Sequence, residues 1–197
     1  MEFDIVDKFE RTIADYFGSP YAVATDCCTH AIELCLRYEQ YDQIQIPEQT
    51  YISLPFTAEK LGLKWSWKKN YKWHDYYHIW NTNIIDAAVL WEENTYIPGT
   101  YMCLSFQFKK HLNLGRGGMI LCDNLEHQKL LKKFRYDGRL DDIPWADQNI
   151  DCIGYHYYMT PETAEIGLQK FNQVKNSLPK NWSYKDYPNL KNFKVFN

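Results

Sequence analysis

The sequence predicts an α/β protein, because stretches with helical spacing alternate along the chain with short apolar runs of strand length. In residues 2–17 apolar side chains recur every three or four positions, and Gly18 and Pro20 end the pattern. The run 21–25 that follows is short and apolar, which is typical of a buried strand. With 197 residues, one domain around one core is expected.

The later elements follow from the same two patterns. Helical spacing predicts helices over 29–38, 54–61 and 126–136, and from Pro161 to about 176, whereas strand patterns cover 43–46 and 64–68. Thr160 before Pro161 is a strong helix start, because threonine caps the first amides and proline suits the first turn. Residues 70–82 are aromatic and polar without a clear period.

Composition excludes two classes of function. Aromatic residues make up 17% of the chain and the formal net charge is only −3, so we expect a packed globule without the electrostatic footprint of a nucleic-acid-binding protein. Apolar runs stay below membrane-spanning length, and the first residues lack the basic and then apolar order of a signal peptide. We therefore expect a cytoplasmic protein whose partners are neither nucleic acid nor membrane.

The cysteines fit that setting. They show no CxxC motif and no Cys/His spacing typical of metal ligands, and most of them stand in apolar runs. We therefore expect buried free thiols, with no metal site and no disulfides. The six are Cys27, Cys28, Cys35, Cys103, Cys122 and Cys152.

A strand-to-helix turn lies between residues 25 and 29. Amide groups at the start of a helix, with the Thr29 hydroxyl beside them, form an anion site, because several N–H groups and the positive end of the helix dipole converge there. An ordinary N-cap role for Thr29 explains the same residues equally well.

A lysine-bearing loop joins two further apolar runs. The run 101–108 leads into Lys109 and Lys110, and a Gly-x-Gly-Gly turn then leads into the run 119–122, so the pattern predicts a strand, a loop and a strand. Strands on both sides fix the backbone of such a lysine, as covalent amine chemistry requires. The alternative is a solvated hairpin end, because short motifs often match by chance.

Residues 105–118 resemble the cofactor-lysine segment of the DegT/DnrJ/StrS sugar aminotransferases, which are fold-type I pyridoxal phosphate enzymes. The shared pattern is Ser-Phe-x-x-x-Lys, four further residues, and Gly-x-Gly-Gly. The resemblance implies that Lys110, not Lys109, is the Schiff-base lysine and that Ser105 binds the cofactor phosphate. It therefore implies pyridoxal 5'-phosphate as the cofactor.

Other segments resemble the same family in the same order. Cys28 and Thr29 occupy its phosphate-binding turn, although the family has glycine at Cys28; if glycine is needed there for a positive φ or a close approach, Cys28 weakens phosphate binding. Tyr51 takes the place of the ring that stacks on the pyridine. Asp86 matches the acid that pairs with the pyridine nitrogen. Val89 stands where the family usually has Gln or His, and it cannot hydrogen bond.

Residues 153–160 resemble the family's Gly-Tyr-Asn-Tyr-Arg-Met segment, which reaches into the phosphate site of the partner subunit. His156 and Tyr158 replace the Asn and the Arg, so hydrogen-bonding capacity persists while the charge at Tyr158 is lost. The resemblance thus implies a homodimer.

The resemblance also implies the architecture. We expect a three-layer α/β/α large domain with a mostly parallel central sheet, shortened because family members carry an extra strand and helix before their acid. Residues 1–178 would form this minimal domain and residues 179–197 a C-terminal tail. The separate C-terminal domain of the family would be absent, which identifies the chain as a truncated member.

The resulting hypothesis is an aminotransferase that moves an amino group from glutamate to a nucleotide-linked keto sugar, with Lys110 and Asp86 as catalytic residues. Two alternatives stay open. One is a non-catalytic binding or assembly module, which Cys28, Val89 and the missing domain favour. The other is a sugar dehydratase of the same family, in which a histidine replaces the lysine; Lys110 argues against it, but the adjacent His111 leaves room for a register error of one residue.

Overall fold

A computed structural model describes residues 3–197. Its five α-helices within these residues are α1 (Asp4–Phe17), α2 (Cys28–Glu39), α3 (Ser53–Leu61), α4 (Leu125–Arg135) and α5 (Pro161–Val174). Its seven strands are β1 (Tyr21–Thr25), β2 (Gln43–Pro47), β3 (Lys64–Lys68), β4 (Tyr77–His78), β5 (Ile84–Asp86), β6 (Tyr101–Ser105) and β7 (Gly118–Cys122).

These bounds confirm the predicted elements with small differences. Residue 2, where we expected the first helix to begin, lies outside the described residues. The apolar run 101–108 leaves the sheet after Ser105, because the Phe106 and Phe108 amides bond to carbonyls of the Gly-rich turn. Helix α5 ends at Val174 rather than near residue 176.

The strands form one five-stranded sheet, in the order β1-β7-β6-β5-β4, and one parallel pair, β2-β3. Reciprocal backbone hydrogen bonds between Gln45 and Trp80 connect the two. Followed across this bridge, β1, β6, β5, β2 and β3 share one direction, while β7 and β4 run the opposite way. Five of the seven strands in the described residues therefore point the same way, as a mostly parallel sheet requires. Adjacent strands pair in parallel at β5-β6 and β2-β3, and the other three pairs are antiparallel.

Residues 70–82, which showed no period, supply the short strand β4. It pairs antiparallel with β5, with Tyr77 opposite Asp86, and the chain then reaches β2 through Trp80. The segment lies between β5 and β2 and links the two sheets, so the central sheet is shortened here without being interrupted.

Helices cover both faces of the sheet, which confirms the three-layer α/β/α architecture. Helices α1 and α5 pack on one face in a core that includes Phe9 and Phe171, whereas α2, α3 and α4 pack on the other, around Leu34 and Leu131. Within residues 3–197, no helix combines the length and the apolar character needed to cross a membrane. All six cysteines are free, and four of them are buried: Cys28, Cys35, Cys103 and Cys122.

A buried ion pair connects three of these elements. Arg135, the last residue of α4, is 0% exposed and binds the Glu10 carboxylate of α1 and the Ala24 carbonyl of β1. Glu10 also accepts the Ala24 amide at 2.7 Å, and Asp141 lies 2.7 Å from the second guanidinium nitrogen. Charges withdrawn from water are tolerated only when they are paired in this way.

We expect Arg135→Met to lower the free energy of unfolding by about 3 kcal/mol, because it leaves Asp141 without its cation and the buried Glu10 with Lys132 alone. Urea denaturation followed by circular dichroism measures the loss. Lys129→Met on the exposed side of α4 removes only a solvated pair with Glu126 and is expected to cost under about 1 kcal/mol. Equal midpoints for the two variants would contradict the assigned role of Arg135.

Candidate active site

Asp86 ends strand β5 at the edge of the sheet where β1 and β6 also end. The residue is 7% exposed, and its carboxylate accepts hydrogen bonds from the Tyr77 hydroxyl at 2.5 Å and from the Ala88 amide at 3.0 Å. Burial raises the pKa of Asp86 above its ordinary value, while these two bonds and the charge of Lys110 work in the opposite direction. The acid is therefore held in place by partners on both oxygens.

Tyr77 was not among the site residues that the sequence suggested. It comes from the aperiodic stretch that forms β4, and its hydroxyl also contacts the Thr50 hydroxyl. A chain of hydroxyl groups therefore runs from Thr50, the residue before Tyr51, through Tyr77 to the acid. Burial and the neighbouring Asp86 raise the pKa of Tyr77 well above its ordinary value, so this hydroxyl stays a proton donor.

Lys110 stands on the loop that follows β6, and its amide is bonded to the Gln107 carbonyl at 2.8 Å. Burial lowers the pKa of the Lys110 amine, and the charges of Asp86 and Cys28 raise it in part. The charge of each group therefore affects the pKa of the other, and we call the region bordered by Asp86, Lys110 and the start of α2 the crevice. Lys109 is exposed, and His111 turns away to α5, where its Nε2 lies 3.1 Å from the Val174 carbonyl oxygen.

Helix α2 begins at the same edge without a side-chain cap. Its N-cap residue Cys27 makes no capping bond, whereas α4 is capped by Asn124 and α5 by Thr160. The Thr29 hydroxyl is 2.8 Å from the Ser53 hydroxyl at the start of α3, so it does not cap its own helix. The first amides of α2 thus keep the anion-binding character expected of an open helix N-terminus.

Cys28 does not hinder this turn. Its φ is not positive, and its sulfur points into the core, 3.5 Å from the Cys103 carbonyl oxygen. The position therefore tolerates a side chain. The close approach lies instead at Gly118, where a Cβ would come within 2.4 Å of the Cys27 carbonyl carbon. Gly118 pairs with both Thr25 and Ser105, so it brings Ser105 up to the α2 turn.

A charged cluster flanks the turn. Asp26 lies 2.6 Å from His30 and 2.7 Å from Arg116, and ligand atoms of Asp26, Cys27 and His30 fall within 4.8 Å of one another, a grouping that the sequence spacing did not reveal. Although burial lowers the pKa of His30, its bonds to Asp26 and Cys27 raise it to about 9. A protonated imidazole and a guanidinium therefore share this carboxylate.

The remaining candidates lie in two places. Tyr51 is 60% exposed beside the crevice, with a free ring face. His156 bonds to Asp137 at 2.9 Å, and the Tyr158 ring packs on Phe3 and on Tyr136. The side-chain contacts of His156 and Tyr158 are thus with the surroundings of α1 and α4, while the Tyr158 backbone pairs with Thr25 at the turn into α2.

The chain matches the sequence model of a known protein family. Residues 2–65 and 97–186 match the sequence model of the DegT/DnrJ/EryC1/StrS aminotransferase family, which is more than half of the chain. The stretch between the two matched parts contains Asp86, so the assignment of that acid rests on its position in the sheet. No curated protein matches the chain.

Solved structures share the fold. AtS13 from Actinomadura melliaura has a TM-score of 0.74 and 20% identity over 86% of this chain and 60% of its own. The sugar aminotransferase CalS13 from Micromonospora echinospora has a TM-score of 0.72 and 13% identity over 87% and 61%. The PLP-form of Spr1654 from Streptococcus pneumoniae has a TM-score of 0.71 and 15% identity over 86% and 59%. The chain thus spans about 60% of the length of these structures.

We expect the amine of Lys110 to titrate below its ordinary pKa of 10.5, and Asp86→Asn to lower that pKa further, because the lost carboxylate no longer stabilises the ammonium. Competitive labelling with acetic anhydride across pH, read by peptide mass spectrometry, measures the midpoint. The exposed Lys109 in the same peptide is the internal reference. An unchanged Lys110 midpoint in the variant would show that the two groups do not interact.

Proposed function

Since this chain belongs to the DegT/DnrJ/EryC1/StrS aminotransferase family, we propose that it is a pyridoxal-phosphate-dependent aminotransferase that transfers an amino group from glutamate to a nucleotide-linked keto sugar. The observation that carries the proposal is the placement of the buried Asp86 and the partly buried Lys110 at the sheet edge where α2 begins, with each charge affecting the pKa of the other group. An amine and an acid placed in this way suit the two ends of a pyridine carbaldehyde.

The phosphate end of the cofactor fits the chain. The uncapped amides of α2, with Thr29 and Ser105 near them, supply hydrogen-bond donors to an anion, and Cys28 contributes its backbone while its sulfur stays in the core. Arg116 and the protonated His30 add positive charge at the same turn, partly balanced by Asp26.

The ring end fits as well. The exposed face of Tyr51 is free to stack on a pyridine, and Asp86 keeps an unused lone pair on each oxygen after accepting from Tyr77 and Ala88. A charged carboxylate there would hold the pyridine nitrogen protonated. When bound, the cofactor would supply an electron sink for the carbon that loses its proton.

Lys110 would hold the cofactor covalently and then, once the amino donor displaces it, move the proton at the substrate's α carbon. Its lowered pKa leaves a larger neutral fraction near pH 7 than an ordinary lysine has, and only the neutral amine can accept a proton. His111 points to α5 instead, so the dehydratase alternative, which needs a histidine in this role, is disfavoured.

The substrate would bind in a cavity of about 300 Å³ beside the crevice, between the loop after β5 and the segment that leads to Trp182. Its walls carry the carboxylates of Asp75 and Glu92 and the amide of Asn181, which can hydrogen bond to hydroxyl groups. These groups favour a hydroxylated ligand such as a sugar.

A homodimer is part of the proposal. His156 is largely exposed and Tyr158 partly so, and the side-chain contacts described for them are with Asp137, Phe3 and Tyr136. In a two-fold dimer each could reach the phosphate turn of the partner, because an isologous interface returns the same surface to the opposite site.

Added pyridoxal phosphate is expected to form a visible-absorbing adduct that borohydride fixes to Lys110 in peptide maps. Lys110→Ala should abolish the fixed label because it removes the nucleophile, whereas Lys109→Ala, one residue away, should keep it. L-Glutamate should then bleach the band of the wild-type protein.

Labelling at Lys109, or no label, would refute the assigned cofactor lysine. A label on Lys110 that no amino donor bleaches would instead favour the non-catalytic binding module. Val89 is consistent with that alternative, because it cannot hydrogen bond to the cofactor.

A further inference from the structure

The C-terminal segment 181–190 is fastened to the sheet edge that carries the crevice. Trp182 and Asp75 exchange two hydrogen bonds, and the Gln49 amide donates to the carbonyls of Tyr184 and Tyr187. The Leu190 amide bonds to the Glu48 carbonyl at 2.8 Å, and Leu190 is 1% exposed. So many specific bonds define a docked segment rather than a loose end.

Trp182 lies against the candidate amine. The Lys110 ammonium is 5.3 Å from the centroid of its ring, and the Lys180 ammonium is 3.7 Å from the same ring. The indole thus stands between a lysine of the crevice and a lysine of the cavity beside it. The ring removes water from the amine, which lowers its pKa, and attracts the charged form, which raises it. Because burial is the largest influence on the Lys110 pKa and lowers it, the loss of water exclusion decides the direction in which a change at Trp182 acts.

Tyr187 lies on the side of the acid. Its ring packs on Trp73 with centroids 5.4 Å apart, and Trp73 packs on Tyr77, the donor to Asp86, at 5.0 Å. Burial raises the pKa of the Tyr187 hydroxyl, and the charges of Asp86 and Cys28 raise it further. Tyr187 is thus connected to the acid through the packed rings of Trp73 and Tyr77.

We propose that residues 181–190 form a wall of this active site, in which Trp182 positions and shields the Lys110 amine and Tyr187 covers the Asp86 carboxylate. This inference rests on the proposed function in one respect, namely that Lys110 is the lysine that carries the cofactor. The wall leaves the exposed ring of Tyr51 as the open side of the crevice. Trp182 and Tyr187 are positioning residues, because they act on the cofactor through Lys110 and Asp86.

The first test uses the full chain without cofactor. Trp182→Ala returns water to the amine, so the midpoint of Lys110 labelling with acetic anhydride should rise toward its ordinary value of 10.5. Trp182→Phe keeps an aromatic ring and should retain the wild-type midpoint. Trp145→Ala, at a tryptophan that is 70% exposed and packs on Arg139, is the matched control and should change nothing.

Gln49→Leu provides an independent variant, because it removes both side-chain bonds to the carbonyls of Tyr184 and Tyr187 and leaves Trp182 and Lys110 unchanged. It should raise the Lys110 midpoint in the same direction but by less, because Asp75 and Glu48 still hold Trp182 and Leu190, and it can be measured even where Trp182→Ala folds poorly. Unchanged midpoints in Gln49→Leu and in folded Trp182→Ala would overturn the wall.

A second readout follows the loaded protein. Hydroxylamine should release pyridoxal phosphate about tenfold faster from Trp182→Ala than from the wild type or Trp182→Phe, because the attachment is open to solvent. Equal release rates in all three would overturn the wall. If borohydride fixes no pyridoxal phosphate to wild-type Lys110, the proposed function alone is refuted. The acetic anhydride midpoints of the cofactor-free protein still decide whether the segment shields the amine.

Discussion

The parallel pairing of β5 with β6 is the constraint on which the candidate site depends. Because Asp86 stands opposite Cys103, both strands leave the sheet at one edge, and the chain that continues from β6 carries Ser105 and Lys110 over the acid. Strand β1 ends at the same edge, where Gly118 packs against the turn into α2. A reversal of β5 would send the acid to the far edge, since parallel strands alone share the direction of their carboxyl ends.

Burial destabilises the charged forms of both Asp86 and Lys110, and the charge of each group partly offsets that cost for the other. Withdrawal from water raises the pKa of Asp86 and lowers that of Lys110, so each alone would tend to neutralise. Their mutual attraction restrains both shifts, and the Tyr77 and Ala88 donors give the carboxylate further support. The result is an acid that stays available to a ring nitrogen beside an amine that loses its proton more readily than usual.

The sequence predicted the helices and most strands because their periodicity is local. The motif order singled out Asp86, which ends β5, and Lys110, on the loop after β6; their catalytic roles stay a prediction. The sequence did not predict β4, Tyr77 or the docking of residues 181–190. Those features depend on pairing between distant segments: Tyr77 on its register with β5, and Trp182 on bonds to Asp75. Aromatic and polar stretches without a period carry no local signal for such contacts. The cluster of Asp26, His30 and Arg116 was missed for the same reason, since the loop that carries Arg116 reaches α2 only through the sheet.

Cys28 stands where the family has glycine, but its geometry does not require a glycine. A glycine can be required for positive φ or for a close approach, and these requirements are separable. Cys28 meets neither condition: its φ is not positive, and its sulfur has room beside Cys103. Gly118 meets the second, since any Cβ there would overlap the backbone of the turn. The phosphate turn of this chain is therefore shaped by the strand that packs beneath it, and a side chain at position 28 leaves its amides free to bind an anion.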